Sequence, residues 1–255
     1  MNKSTFKRVV HTVFLIFAVT TIALPALFAQ DKLILKSGET VEGTVEGLTP
    51  TGDIRFKIAA GTVPYPKANI LRVELAERPE FVAGIKAMEQ QNFAEAIENL
   101  KPLVDKFLGI EVEWVAEAAG ALAEALAQAG KTYDSEQLSD RIIAAYPNSP
   151  FRFRGMISKA YTLVVRERYD EAIKLLNEVV EAVKPGPAPD ARTMDILSYL
   201  HFVLGQAFEK KGENAKALES YLKVVTLYYL PAKRAQLAQE RATELRRKNP
   251  GLVTE

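Results

Sequence analysis

The chain has no cysteine among its 255 residues. That excludes a disulfide framework, a thiolate nucleophile or ligand, and lipid attachment at an N-terminal cysteine. Histidine is nearly as scarce, with His11 and His201 alone, and neither has metal-ligand spacing or a nucleophile motif around it. An excess of one charge is also missing, since 33 Lys and Arg face 32 Asp and Glu. Near-neutrality gives no global field for nucleic acid. Long apolar runs are limited to one, Val9 to Leu24, whose 16 residues fall short of a bilayer, which takes about 20.

That run is preceded by Lys3, Lys7 and Arg8 and followed by the small and helix-breaking residues Pro25 to Ala29. This is the order of a secretory signal peptide, residues 1–29. Cleavage is expected after Ala29, with Leu27 departing from the Ala-x-Ala ideal, and the exported protein is expected in the periplasm. The alternative is an uncleaved N-terminal membrane anchor. Cleavage removes three basic residues and no acidic ones, leaving 30 against 32, a formal charge of −2. No further integral membrane segment is expected. The change of pattern near residue 78 divides the remainder into two domains.

Residues 30–77 alternate at the period of a half-buried strand. Leu33 and Leu35, then Val41, Gly43 and Val45, then Ile54, Phe56 and Ile58, then Val63 and Tyr65, then Leu71, Val73 and Leu75 mark five strands. Turn-forming segments such as Ser37-Gly38, Thr49 to Gly52 and Ala60-Gly61 separate them. So small a sheet is expected to curl into a five-stranded SH3-like or Sm-like barrel. The segment Leu33 to Val45 resembles the Sm-like fold, with a strand, a Ser-Gly turn and a second strand holding a bendable glycine. RNA binding does not follow. The basic residues of this region are matched by acids, and Phe56 and Tyr65 fall on the inward face rather than on a stacking surface.

From Arg78 onward the period is helical, and the fold class is mainly α. Leu197, Leu200, Leu204 and Phe208 lie on one helix face, and Ala217, Tyr221, Val225 and Tyr228 on the next. Gly205 and Ala217 are small where two helices must approach, and Gly212 turns the chain between them. Leu204, Gly205, Phe208, Gly212, Ala217 and Tyr221 together resemble a tetratricopeptide repeat, although His201 stands where that family often has Trp and the terminal proline is displaced to Pro231. Weaker units precede it. Gly84, Ala96 and Leu100 mark the first, with Asn92 as a helix N-cap. Leu122, Leu126 and Gly130, closed by Tyr146 to Pro150, mark the second, and Ala160, Ala172 and Leu176 the third. The small positions Ala96, Ser135, Ala172 and Ala217 are 39, 37 and 45 residues apart, beyond the family's period of about 34. Residues 78–231 are therefore expected to form about four helical hairpins of an α-solenoid, and residues 232–255 a capping helix and tail. Pro185 to Pro189 is expected to be a hinge and Pro102 a kink.

Chemistry is sparse. Ala125 to Thr132 fits a relaxed phosphate-loop pattern, but Ala-rich helix formers precede it where a strand is required, and Gly130 reads as an inter-helix turn. Glu111 with Glu113 and Asp170 with Glu171 sit at helix starts, where acids ordinarily cap or stay solvated. No catalytic residue, cofactor or metal site is expected. The basic end of the last helix, Arg246 to Lys248, offsets the helix dipole.

The resemblance implies a concave groove lined by the first helix of each repeat. Carried onto the third and fourth units, its positions are Arg154, Ile157 and Tyr161, and Tyr199, Phe202 and Gln206. The expected function is a non-catalytic protein–protein interaction scaffold or adaptor of the bacterial cell envelope that binds a peptide or protein partner. The chain is similar in architecture to periplasmic tetratricopeptide proteins that accompany Tol or TonB complexes or outer-membrane assembly. Alternatives are an accessory subunit or enzyme acting on envelope polymers, with converging titratable groups as its mark, and a protein that self-associates through open solenoid ends. Mass spectrometry of the exported protein is expected to give a chain starting at Gln30; an intact Met1 terminus would contradict cleavage.

Overall fold

In the computed structural model the described residues are 30–184, 186, 188–230 and 232–252. The expected signal peptide, and Pro185, Pro187 and Pro231, lie outside them. Five strands come first, β1 (Asp31–Leu35), β2 (Thr40–Leu48), β3 (Ile54–Ile58), β4 (Gly61–Tyr65) and β5 (Ile70–Glu74). They form one antiparallel sheet in the order β4-β3-β2-β1-β5.

All five strands match the sequence pattern, but the expected closure into a barrel does not occur, because β4 and β5 remain open edges. Helices supply the missing cover. Leu33, Val45, Ile54 and Phe56 of the sheet share one core with Phe81, Phe107 and Trp114, so the apolar face is buried without the sheet closing on itself. Leu71, expected inward, is 68% exposed. The pairing steps from Ile34 opposite Arg72 to Leu35 opposite Ile70, a bulge that skips Leu71 and turns it outward. Val63, on the edge strand β4, is exposed as well.

Gly43 is the bendable glycine of β2, and its need is steric: a Cβ there would come within 2.2 Å of the Lys57 carbonyl oxygen. Directed bonds tie the sheet to the helical region. The buried Asp31 carboxylate accepts from the backbone N–H groups of Val45 at 2.8 Å and Ala76 at 3.1 Å, and pairs with Arg78 at 2.7 Å. Trp114 Nε1 donates to the Leu75 carbonyl at 3.0 Å, and Lys67 Nζ to that of Gly109 at 2.5 Å.

The helices are α1 (Pro79–Glu89), α2 (Phe93–Phe107), α3 (Glu113–Gln128), α4 (Thr132–Ala145), α5 (Arg152–Val165), α6 (Tyr169–Ala182), α7 (Ala191–Lys211), α8 (Asn214–Thr226) and α9 (Ala232–Lys248). They pair as four hairpins, α1/α2, α3/α4, α5/α6 and α7/α8, with α9 stacked on the last. Asn92 caps α2 as expected, accepting from the Glu95 N–H, and α2 continues through Pro102 to Phe107. Gly130 turns the chain from α3 to α4 with no strand before it, as its helical surroundings predict.

One geometry recurs in all four hairpins. The small positions Ala96, Ser135, Ala172 and Ala217 are all fully buried. A Cβ on Gly84 would lie 2.5 Å from Leu100, and one on Gly205 2.5 Å from Tyr221, at equivalent places in the first and fourth hairpins. The turn residues Gln91, Gly130, Glu167 and Gly212 all have positive φ, at 58, 77, 60 and 85°. The next residue's N–H reaches back five positions each time, Asn92 to Ala87, Lys131 to Leu126, Arg168 to Leu163 and Glu213 to Phe208. This is the Schellman closure, which satisfies carbonyls at the helix end and needs a left-handed residue.

Two of the four turns use glycine and two hold a side chain in a conformation that costs about 1–2 kcal/mol. Replacing Glu167 with Gly is expected to raise stability in urea by about 0.5–1 kcal/mol, while Gly212→Ala lowers it by about 1 kcal/mol. Shifts of the same sign in both would contradict the turn assignment.

Candidate functional site

The first helices of successive hairpins, α3, α5 and α7, followed by α9, pack side by side along one face of the stack. A ladder of alternating charge crosses them. Glu113 on α3 accepts from Arg154 on α5 at 3.1 Å, Arg154 also donates to Asp195 on α7, and Asp195 accepts from Arg234 on α9 at 2.8 Å. These partners are 41, 41 and 39 residues apart, one per helical pair. Arg192 closes the far end on Glu113 at 2.6 Å.

Arg154 is only 5% exposed. Burial works against its charge, but Asp195, Glu117 and Glu113 together raise its pKa and hold the guanidinium protonated. Burial likewise opposes ionisation of Asp195, and Arg154 and Arg234 outweigh it, lowering its pKa.

The same face carries two acids further along α3. Glu117 and Glu124 are partly buried, and withdrawal from water raises the pKa of both carboxyls. Tyr199 faces Glu124 and Ser158, and the Arg234 guanidinium lies 4.9 Å from the Tyr199 ring centroid. Tyr161 bonds Gln128 and lies near Glu124 and Arg241. Several buried polar atoms here have no hydrogen-bond partner: Arg154 Nε, Ser158 Oγ, Ser198 Oγ, Tyr199 OH and Gln206 Oε1.

The six residues expected to line the groove therefore divide. Arg154, Tyr161, Tyr199 and Gln206 reach this face. Arg154 is committed to joining α3 to α7 rather than to a free surface, and Tyr161 and Tyr199 are 4% and 6% exposed. Ile157 is a core residue with no exposed surface, and half-buried Phe202 packs on Tyr221 at 5.9 Å between centroids. The residues missed are Glu117, Glu124 and Gln128 on α3 and Asp195, Arg234 and Arg241 across from it. Glu113, Glu117, Glu124 and Gln128 recur at helical spacing on an otherwise Ala-rich helix, a stripe the sequence did display. Glu113 begins α3 but spends its carboxylate on Arg154 and Arg192 instead of standing solvated.

His201 lies off this face. It is buried and stacked on Tyr228 at 5.3 Å, with Nδ1 unpaired, and burial, helped by Lys223, pushes its pKa down to about 4. With the folded pKa below the unfolded value of about 6.5, its contribution is intact above pH 6.5 and is lost as the pH falls toward 4. The loss is on the order of 3 kcal/mol. A His201→Phe variant, which keeps the stack, is expected to show a flatter stability profile than the parent between pH 6.5 and 4. Parallel profiles would contradict the buried neutral imidazole.

Comparison with known proteins agrees with the repeat geometry. The family model described as tetratricopeptide repeat matches residues 81–150 and 157–233. No curated protein sequence matches the chain. Among solved structures, the chain is similar to MamA 41-end from Desulfovibrio magneticus RS-1, at 21% identity and a TM-score of 0.33, over 69% of this chain and all of that one. It is also similar to MamA from AMB-1, at 20% identity and a TM-score of 0.37, over 67% and 99% of the two chains. A third is the putative kinesin light chain TPR-like repeats of Podosopora anserina, at 19% identity and a TM-score of 0.41, over 68% and 95%. With the family model covering more than half its length, and the same hairpin turn built four times, this chain belongs to the tetratricopeptide repeat family.

Proposed function

We propose that this chain is a non-catalytic scaffold of the bacterial cell envelope that binds a peptide or protein partner along the face formed by α3, α5, α7 and α9. The observation that carries the reading is the stripe of partly buried polar side chains there, Glu117 and Glu124 on α3 and Gln206 on α7, beside the closed ladder of ion pairs. Polar groups partly withdrawn from water gain from further hydrogen bonds, and a bound chain's amides and side chains would supply them. The basic, apolar and small-residue order of residues 1–29 supports export, and no described helix is long and apolar enough to cross a membrane. In this reading the sheet of residues 30–77 is a platform for the first hairpin, residues 78–231 are the binding solenoid, and 232–255 its cap. A Tol, TonB or outer-membrane assembly complex fits the compartment.

An enzyme acting on envelope polymers is the second reading, favoured by the convergence of Glu117 and Glu124. Their seven-residue separation along α3 sets the backbone positions about 10 Å apart on one helix. Both acids project from one side of one helix, whereas glycoside hydrolysis needs two carboxyls that flank the scissile bond.

Photo-cross-linking separates inner from outer faces. Benzoylphenylalanine placed at Gln206 is expected to yield a discrete partner adduct in cells, and at exposed Lys174 on α6 none. Equal adducts from both, or none from position 206, would contradict the assignment.

A further inference from the structure

The charges on the inner face narrow the chemistry of the partner. Four acids and four arginines converge there: Glu113, Glu117, Glu124 and Asp195 against Arg154, Arg192, Arg234 and Arg241. The arginines are already engaged. Arg154 holds Glu113 and Asp195, Arg192 holds Glu113, Arg234 holds Asp195, and Arg241 reaches Glu209 at 3.9 Å. Among the described residues Glu117 and Glu124 are left without an ion pair of their own, two helical turns apart on the same side of α3. Arg154 and Arg234 act on Glu117, and Arg234 on Glu124, without forming a contact pair, and withdrawal from water outweighs their pull, so a further cation in contact would improve both carboxylates.

A second observation, independent of the acids, points the same way. Tyr199, 6% exposed, turns its hydroxyl to Glu124 and Ser158 without making a hydrogen bond of ordinary geometry to either. Gln206, two turns further along α7, holds its Oε1 buried and unpaired. Apart from the Arg154 Nε donor beside the ladder, the groups along this stretch are acceptors, two carboxylates and an amide oxygen, with hydroxyls beside them. What fits is a group rich in N–H donors and positively charged.

We propose that the inner face takes an extended peptide through a lysine or arginine side chain, seated between Glu117 and Glu124 beside Tyr199, with Gln206 further along α7 accepting from the peptide backbone. The proposal rests on the groove reading above and specifies its ligand. An acidic peptide would meet two unpaired carboxylates, with the nearby cations already taken, and is disfavoured. The basic side chain would enter a site closed on one side by the Glu113–Arg154–Asp195–Arg234 ladder, so the ladder fixes where the cation sits without itself supplying the counter-charge.

The test is selection of a phage-displayed random twelve-residue library on the folded full chain. Lys or Arg is expected to be enriched at one position and Asp or Glu depleted throughout. A selected peptide, made synthetically, should lose at least tenfold in affinity when that Lys or Arg is replaced by Met, and by a similar factor against the Glu124→Gln protein. Glu178→Gln, on the exposed side of α6, should leave it unchanged. The peptide substitution cannot disturb the protein's folding, so it decides the matter even where the protein variant is unstable. Peptides that bind without preference for a basic residue, and compete with cross-linking at position 206, would overturn this proposal and leave the groove reading standing. Failure to select any peptide would overturn both.

Discussion

A guanidinium withdrawn from water has to be surrounded by carboxylates, and the arrangement of the inner helices follows from meeting that need at Arg154. Its two acid partners come from different hairpins, Glu113 from α3 and Asp195 from α7, so this one residue in the first turn of α5 fixes both neighbours at once. Asp195 then passes the constraint to α9 through Arg234. The alternation of acid, base, acid and base at nearly equal intervals lets Glu113, Arg154 and Asp195 each meet two opposite charges. Removing one member leaves its partners buried and uncompensated, a far larger effect than the pair's net attraction.

The ladder acts on helices that packing has already paired. In the first and fourth hairpins Gly84 and Gly205 admit Leu100 and Tyr221, and in all four a left-handed turn closes the helix end. These local devices repeat and set the hairpin. The ladder does not repeat a residue type, and it sets how one hairpin lies against the next. Because the loops between hairpins are longer than the family's usual ones, the spacing of the inner helices depends more on this cross-linking. That spacing in turn encloses Glu117, Glu124 and Tyr199 and produces the face assigned to binding.

The parts legible in the sequence are those fixed by local chemistry. Period two gave five strands, Gly130 and Gly212 marked turns, and Asn92 marked a cap. The turns at Gln91 and Glu167 were hidden, since their left-handed backbone is imposed by the hairpin and not by the residue. Barrel closure was expected because a small sheet must bury one face; the sequence does not say that Phe81, Phe107 and Trp114 will cover it. Leu71 was misplaced because a bulge shifts the register. The groove positions carried over from the family lie on α5 and α7, where Ile157 and Phe202 are packing contacts and Arg154 is held in ion pairs. Charges that meet from about 40 residues apart carry no local signature. The acidic stripe on α3 was visible, yet its meaning depended on what stood opposite.

The claim on which this account turns is that Arg154 and Asp195 hold α5 and α7 together as a coupled pair. A double-mutant cycle in urea, using Arg154→Met, Asp195→Asn and the two combined, measures it directly. The account predicts single losses whose sum exceeds the double loss by about 1–3 kcal/mol. Additivity within about 0.5 kcal/mol would show that the two side chains do not depend on each other, and the ladder would then be a consequence of the helix packing and not one of its causes.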